Sequence, residues 1–239
     1  MTADPLVLSA EVDRATARLL ATAEALDGDA AVAAPSLLPG WTRGHVLTHV
    51  ARNADGLVNL LTWARTGVVT PQYESLQRRA SDIQEGSGRP YAEQLADLRE
   101  ASARFAAAVE RMPADAWTVS LDLPGGPQLA AHVVWRRLRE VEVHHVDLAA
   151  GYATADWPEA FSHRVLHEVV AGLRDRPDAP ALVLHPDGLG HELRLGSADD
   201  APTVTGPAHA LAGWLSGRTD GAGLTVSPPG PLPVPPQWI

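Results

Sequence analysis

Four stretches, each of roughly twenty residues, repeat apolar side chains at helical spacing, and only moderate connections separate them. That pattern admits few folds besides a helical bundle. The first places Val12, Ala15, Leu19, Leu20, Ala23 and Leu26 on one face before Gly28 stops it. A turn from Pro35 to Thr42 follows, in which the Thr42 hydroxyl can cap the next helix; periodicity then runs from Val46 to Ala64, with His49 in the second turn. A polar, arginine-rich link from Pro71 to Gly88 leads to Pro90, which opens a third helix reaching Met112. Trp117 to Pro127 reads as a loop or short extended link. The fourth helix spans Leu129 to Ala150 and ends at Gly151.

Beyond Pro158 the pattern changes. A helix from Glu159 to Arg174 precedes Ala181–His185 and His191–Leu195, two alternating runs that form a β-hairpin across Pro186-Asp187-Gly188. A strand near Thr203–Thr205, a helix from Pro207 to Leu215 and a strand at Leu224–Val226 complete this part. The proline-rich tail from Ser227 is expected to lie extended on the surface. The chain therefore reads as a mix of all-α and α/β parts: a four-helix bundle over residues 1–155 and a small α+β domain over residues 156–239.

Charge and composition narrow the function. The net charge is -10 with no local basic cluster, which argues against a nucleic-acid partner. All 19 basic residues are arginine, a side chain suited to two-point contact with carboxylates and hence to an anionic small substrate. No basic and apolar leader and no run of membrane-spanning length is present, so a cytoplasmic location is expected. Cysteine is absent, which excludes disulfides and thiolate ligands; any thiol chemistry must come from a cofactor.

Within the fourth helix, Glu140 and His144 are four residues apart, which puts a carboxylate and an imidazole on one face at about 5–6 Å between Cβ atoms. Val141, Val143 and Val146 flank them, and Leu47, Val50 and Ala51 flank His49, so all three polar groups border apolar surface where a cation would be a natural partner. Three ligands from two helices leave a fourth position open, the arrangement of a catalytic zinc. Other sets compete: His45 with His49, also four apart, and Glu142 with His145, three apart. His132, Arg136, Glu140 and His144 also form a stripe that is explicable as a row of charges. Asp147 can accept a hydrogen bond from the second nitrogen of His144, or be a solvated residue at a helix end.

The segments Leu38–His49, Tyr73–Arg79, Arg137–Leu148 and Gly213–Arg218 resemble the mycothiol-dependent maleylpyruvate isomerases, members of the wider DinB-like metal-binding four-helix family. The likeness spans nearly the whole chain. It implies a DinB-like bundle with a zinc on His49, Glu140 and His144, and the thiol of mycothiol at the open position. It further implies that Arg218, in the turn after Trp214, reaches toward the site, and that Arg79, with Arg78 and Arg89 nearby, meets the substrate's carboxylates. In such an enzyme the thiolate adds to the cis double bond of maleylpyruvate, the resulting enolate rotates about a single bond, and loss of the thiol leaves fumarylpyruvate, a step of aromatic catabolism. The same bundle also serves thiol S-transferases acting on other electrophiles. Metal-dependent hydrolysis and a non-enzymatic metal-stabilised regulatory module are the remaining alternatives.

Overall fold

The computed structural model describes residues 4–198 and 200–238. Contacts divide the chain into two units, Met1–Tyr152 and Ala153–Ile239.

The first unit contains helices α1 (Pro5–Glu24), α2 (Gly28–Ala33), α3 (Arg43–Thr66), α4 (Leu76–Ser87), α5 (Tyr91–Glu110) and α6 (His132–Asp147). Four of them close a ring in which α3 packs on α5 and α6, and α1 packs on the same two helices. The apolar stripes read from the sequence line its interior: Val12, Ala15 and Leu19 of α1, Val46, Val50 and Leu57 of α3, Leu98 and Phe105 of α5, and Val134, Leu138 and Val141 of α6 are buried. Burial of each large aliphatic side chain stabilises by about 1.5–3 kcal/mol. Arg137 is wholly buried as well. Its guanidinium donates to the Val50 carbonyl at 2.7 Å and to Asn53 Oδ1 at 3.2 Å and lies over the Phe105 ring, while burial lowers its pKa to about 10.

Helix α3 begins at Thr42 as expected, with a reciprocal cap. The Thr42 hydroxyl accepts from the His45 N–H, and His45 Nδ1 accepts from the Thr42 N–H at 3.1 Å. It ends at Gly67, whose φ of 72° gives the left-handed turn that closes helices.

Three expectations need correction. The segment read as a polar link contains α4, capped by Ser75 Oγ, which accepts from the Arg78 N–H at 2.9 Å. Its buried residues are Ile83 and Gly86, too few for visible periodicity. The glycine is there for proximity: a Cβ on Gly86 would stand 2.5 Å from Thr48 Cγ2 of α3. The segment Trp117 to Pro127, read as a loop or short extended link, starts within a short helical turn, Ala114–Thr118, and continues into an antiparallel hairpin, β1 (Ser120–Leu123) and β2 (Gly126–Leu129). Because Leu129 pairs with Ser120 there, α6 begins at His132 rather than at Leu129, and it ends at Asp147, before Ala149 and Gly151 take positive φ.

In the second unit, α7 (Glu159–Leu173) and α8 (Ala208–Leu215) pack together beside a sheet of β3 (Leu182–Pro186), β4 (Leu193–Leu195), β5 (Thr203–Gly206) and β6 (Thr225–Ser227). The strand order is β4-β3-β5-β6, with β3 and β5 parallel and the outer pairings antiparallel. Each predicted element of this unit is present. The tail after β6 has no regular structure, and its Leu232 and Trp238 lie against Gly221 and Gly172. Among the described residues, no helix is long and apolar enough to cross a membrane.

Candidate metal centre

Alternate faces of α6 do different work. Residues 140 and 144 turn toward α3, and residues 142 and 145 turn toward α1. On the α3 side, His49 Nε2 lies 3.1 Å from Glu140 Oε2 and 2.9 Å from His144 Nε2, and His144 Nε2 lies 3.4 Å from Glu140 Oε2. His49 and His144 are buried. Among the described residues, these three are the group of histidine and carboxylate side chains able to hold a metal ion, with ligand atoms within 4.8 Å of one another.

The surroundings prepare each ligand. Asp147, wholly buried, accepts from His144 Nδ1 at 2.8 Å through Oδ2, so the Nε2 lone pair of a neutral His144 faces the other ligands. Arg139 donates to Glu140 Oε1 at 3.1 Å, which leaves Oε2 for the centre. Burial opposes charge on Glu140, yet hydrogen bonds from His144 and His49 hold its carboxyl well below the usual range. Burial also opposes protonation of His144, but its hydrogen bonds to Asp147 and Glu140 raise its pKa. For His49, burial first, then His144 and Arg79, outweigh Glu140 and lower the pKa to about 4.

Two imidazole nitrogens and one carboxylate oxygen converging from two helices fit a divalent ion of the zinc type and leave a position for an exogenous ligand. Arg79 of α4 belongs to this neighbourhood. Its Nη2 donates to His49 Nδ1 at 3.1 Å, and its guanidinium lies over the Tyr73 ring. Coordination through His49 Nε2 leaves the ring proton on Nδ1, so Arg79 and a metal compete for this imidazole.

The alternative ligand sets are occupied elsewhere. His45 is spent on the α3 cap, with Nε2 3.2 Å from Ser87 Oγ. Glu142 is gripped by Arg18 and accepts from the Tyr152 hydroxyl at 2.6 Å. His145 meets Thr22 Oγ1 at 2.7 Å and stacks on Tyr152 with ring centroids 3.7 Å apart. In the proposed row of charges, Arg136 turns to Gln72 Oε1 at 2.7 Å. Arg218 belongs to the second unit: it follows Gly217 at the end of α8, its backbone N–H reaches the Gly213 carbonyl at 2.8 Å, and Nη1 donates to the Ser216 carbonyl at 2.7 Å.

Trp41 was not singled out by the sequence, although it sits in the Leu38–Thr42 turn that was. Its ring meets His49 edge-on at 5.7 Å and stacks on His45 at 5.9 Å, forming one wall beside the centre. The turn's proline, glycine and tryptophan were the available signal.

Comparison with known proteins places this geometry. Residues 12–149 match the family model for the mycothiol maleylpyruvate isomerase N-terminal domain, and residues 156–237 match that for the MDMPI C-terminal domain. Crystal structures of a mycothiol-dependent maleylpyruvate isomerase and of its histidine-to-alanine mutant each superpose with a TM-score of 0.91 at 29% identity, covering 98% of this chain and 97% of theirs. No curated protein matches by sequence. With both of its parts accounted for by the two family models, the chain belongs to the mycothiol maleylpyruvate isomerase family.

Proposed function

We propose that this protein isomerises maleylpyruvate to fumarylpyruvate in the cytoplasm, using mycothiol and a zinc ion held by His49, Glu140 and His144. The observation that supports this most is the convergence of those three side chains in a family member that contains no cysteine. When bound, the metal acidifies a coordinated thiol, and mycothiol brings the sulfur nucleophile for reversible addition to the activated double bond.

The chain's own residues do the rest. Asp147 sets the tautomer of His144, and Arg139 fixes the second oxygen of Glu140. Arg79, at the edge of the centre, offers a guanidinium to one substrate carboxylate. The family likeness assigns Arg218 to substrate charge, a two-point task for which arginine is suited. A general base from the protein is not required.

Turnover of maleylpyruvate, followed by absorbance with and without mycothiol, tests the reading. Thiol-dependent isomerisation that a chelator abolishes is the expected result. An unchanged rate in thiol-free buffer would overturn it, and consumption of the thiol into a stable adduct would instead make the protein an S-transferase.

A further inference from the structure

The cleft beside the metal centre has no part in the mechanism above. It has a volume of about 400 Å³ and is formed by residues 35–42, with Pro35, Leu37, Leu38, Pro39 and Trp41 among its walls. That size lies within the roughly 300–1,000 Å³ of small-molecule sites. No charged side chain lines it. The loop's own polar groups are largely spent on one another: the Ser36 N–H and hydroxyl both reach the Trp41 carbonyl, at 2.9 and 3.0 Å, and the Trp41 N–H reaches the Leu38 carbonyl at 3.0 Å.

The loop is also held in place. The Leu37 N–H donates to the Asp147 carbonyl at 2.9 Å, and Arg43, just beyond it, donates to the carbonyls of Leu148 at 2.8 Å and Ala149 at 2.7 Å. The end of α6 that carries His144 and its partner Asp147 thus anchors the cleft, so a ligand there meets a preformed surface. Trp41 joins the two places, lining the cleft while its ring touches His49.

We infer that this cleft is the subsite for the sugar portion of the thiol cofactor, with Trp41 as the platform against which a sugar ring lies. The inference rests on the reading of the protein as a mycothiol-dependent enzyme. A dicarboxylate would be poorly served by uncharged walls and belongs near the arginines. A neutral polyhydroxylated ring offers a face of C–H groups to an indole and keeps its hydroxyls toward water.

Calorimetric titration of the metal-loaded protein with mycothiol and with N-acetylcysteine, which has the sulfur but no sugar, tests this directly. Wild-type protein is expected to prefer mycothiol by at least about tenfold, equivalent to about 1.4 kcal/mol. In Trp41→Ala that ratio should fall by about tenfold, and in Leu37→Ser, on the exposed rim, by a smaller factor in the same direction. Trp41 touches His49, so any loss of metal would weaken both thiols and leave the ratio intact. A ratio unchanged in Trp41→Ala overturns the subsite. Wild-type protein that binds neither thiol overturns instead the reading on which it rests.

Discussion

Replacing Asp147 removes the hydrogen bond that orients the metal ligand His144. Its Oδ2 stands 2.8 Å from His144 Nδ1, and the residue is 0% exposed, so no water can take over the acceptor role without rearrangement. A hydrogen bond to a charged group contributes about 1.5–3 kcal/mol net. At about 1.4 kcal/mol per factor of ten, its loss should weaken zinc binding by about 10- to 150-fold, in line with the ~10–100-fold typical of such outer partners. Asp147→Ala should reach that range. Asp147→Asn keeps an acceptor oxygen but not the charge, and should fall between it and wild type. The metal-free alanine variant should also lose about 1–3 kcal/mol of stability, because a buried imidazole N–H is left without its acceptor. Competition against a chromophoric zinc chelator at neutral pH measures the affinity, and urea unfolding measures the stability. Affinities within twofold of wild type in both variants would refute the argument that Asp147 prepares His144 for the metal.

Other expectations follow from the same geometry. His49→Ala and His144→Ala should each lose bound zinc by metal analysis, whereas His145→Ala should keep it; retention in the first two would sink the ligand assignment. Arg79→Ala and Arg218→Ala should each cut turnover by ~10²-fold or more with metal retained, and Arg218→Lys should recover only part. Because Arg79 competes with a metal for His49, Arg79→Ala should bind zinc at least as tightly as wild type, and weaker binding would contradict that competition. The raised pKa of His144 gives a pH dependence of definite sign. A proton must leave its Nε2 before a metal can bind, so apparent zinc affinity should rise with pH above the ordinary imidazole range, with proton release detectable by calorimetry in buffers of different ionisation enthalpy. In the metal-free protein this group's stabilisation is present below the unfolded-state pKa and is lost as pH rises through the raised folded value.

The sequence was most legible where one periodic face met one core. The helices of the ring and most elements of the second unit carry that signature, and Thr42 declared the start of α3. Helix α4 was invisible because it buries only Ile83 and Gly86, and the value of Gly86 depends on Thr48, far away in sequence. The β1–β2 hairpin has only Leu121 and Leu123 pointing inward, too short a run to separate from a loop, although Gly125-Gly126 at the turn was a usable cue. Spacing alone put Glu140 with His144 and Glu142 with His145 on an equal footing. What distinguishes them is what each face meets: His49 on α3 for the first pair, Arg18 and Thr22 on α1 for the second. The Arg18–Glu142–Tyr152 network draws on three separate parts of the chain, so no local pattern could announce it.

The joining of α3 and α6 through His49 and His144 has a thermodynamic consequence apart from chemistry. The two ligands are 95 positions apart in a chain that has no disulfide, so a metal gripped by both would act as a cross-link closing a long loop. A permanent link around a loop of about 100 residues removes enough unfolded-chain entropy to be worth about 4.7 kcal/mol in the simplest model. A metal that leaves the unfolded chain contributes through its binding free energy instead, and at ~100 times its dissociation constant that adds about 2.7 kcal/mol. The same ion that equips the centre would thus fasten α3 to α6 across 95 positions of the first unit, and its loss would lower the melting temperature as well as the activity.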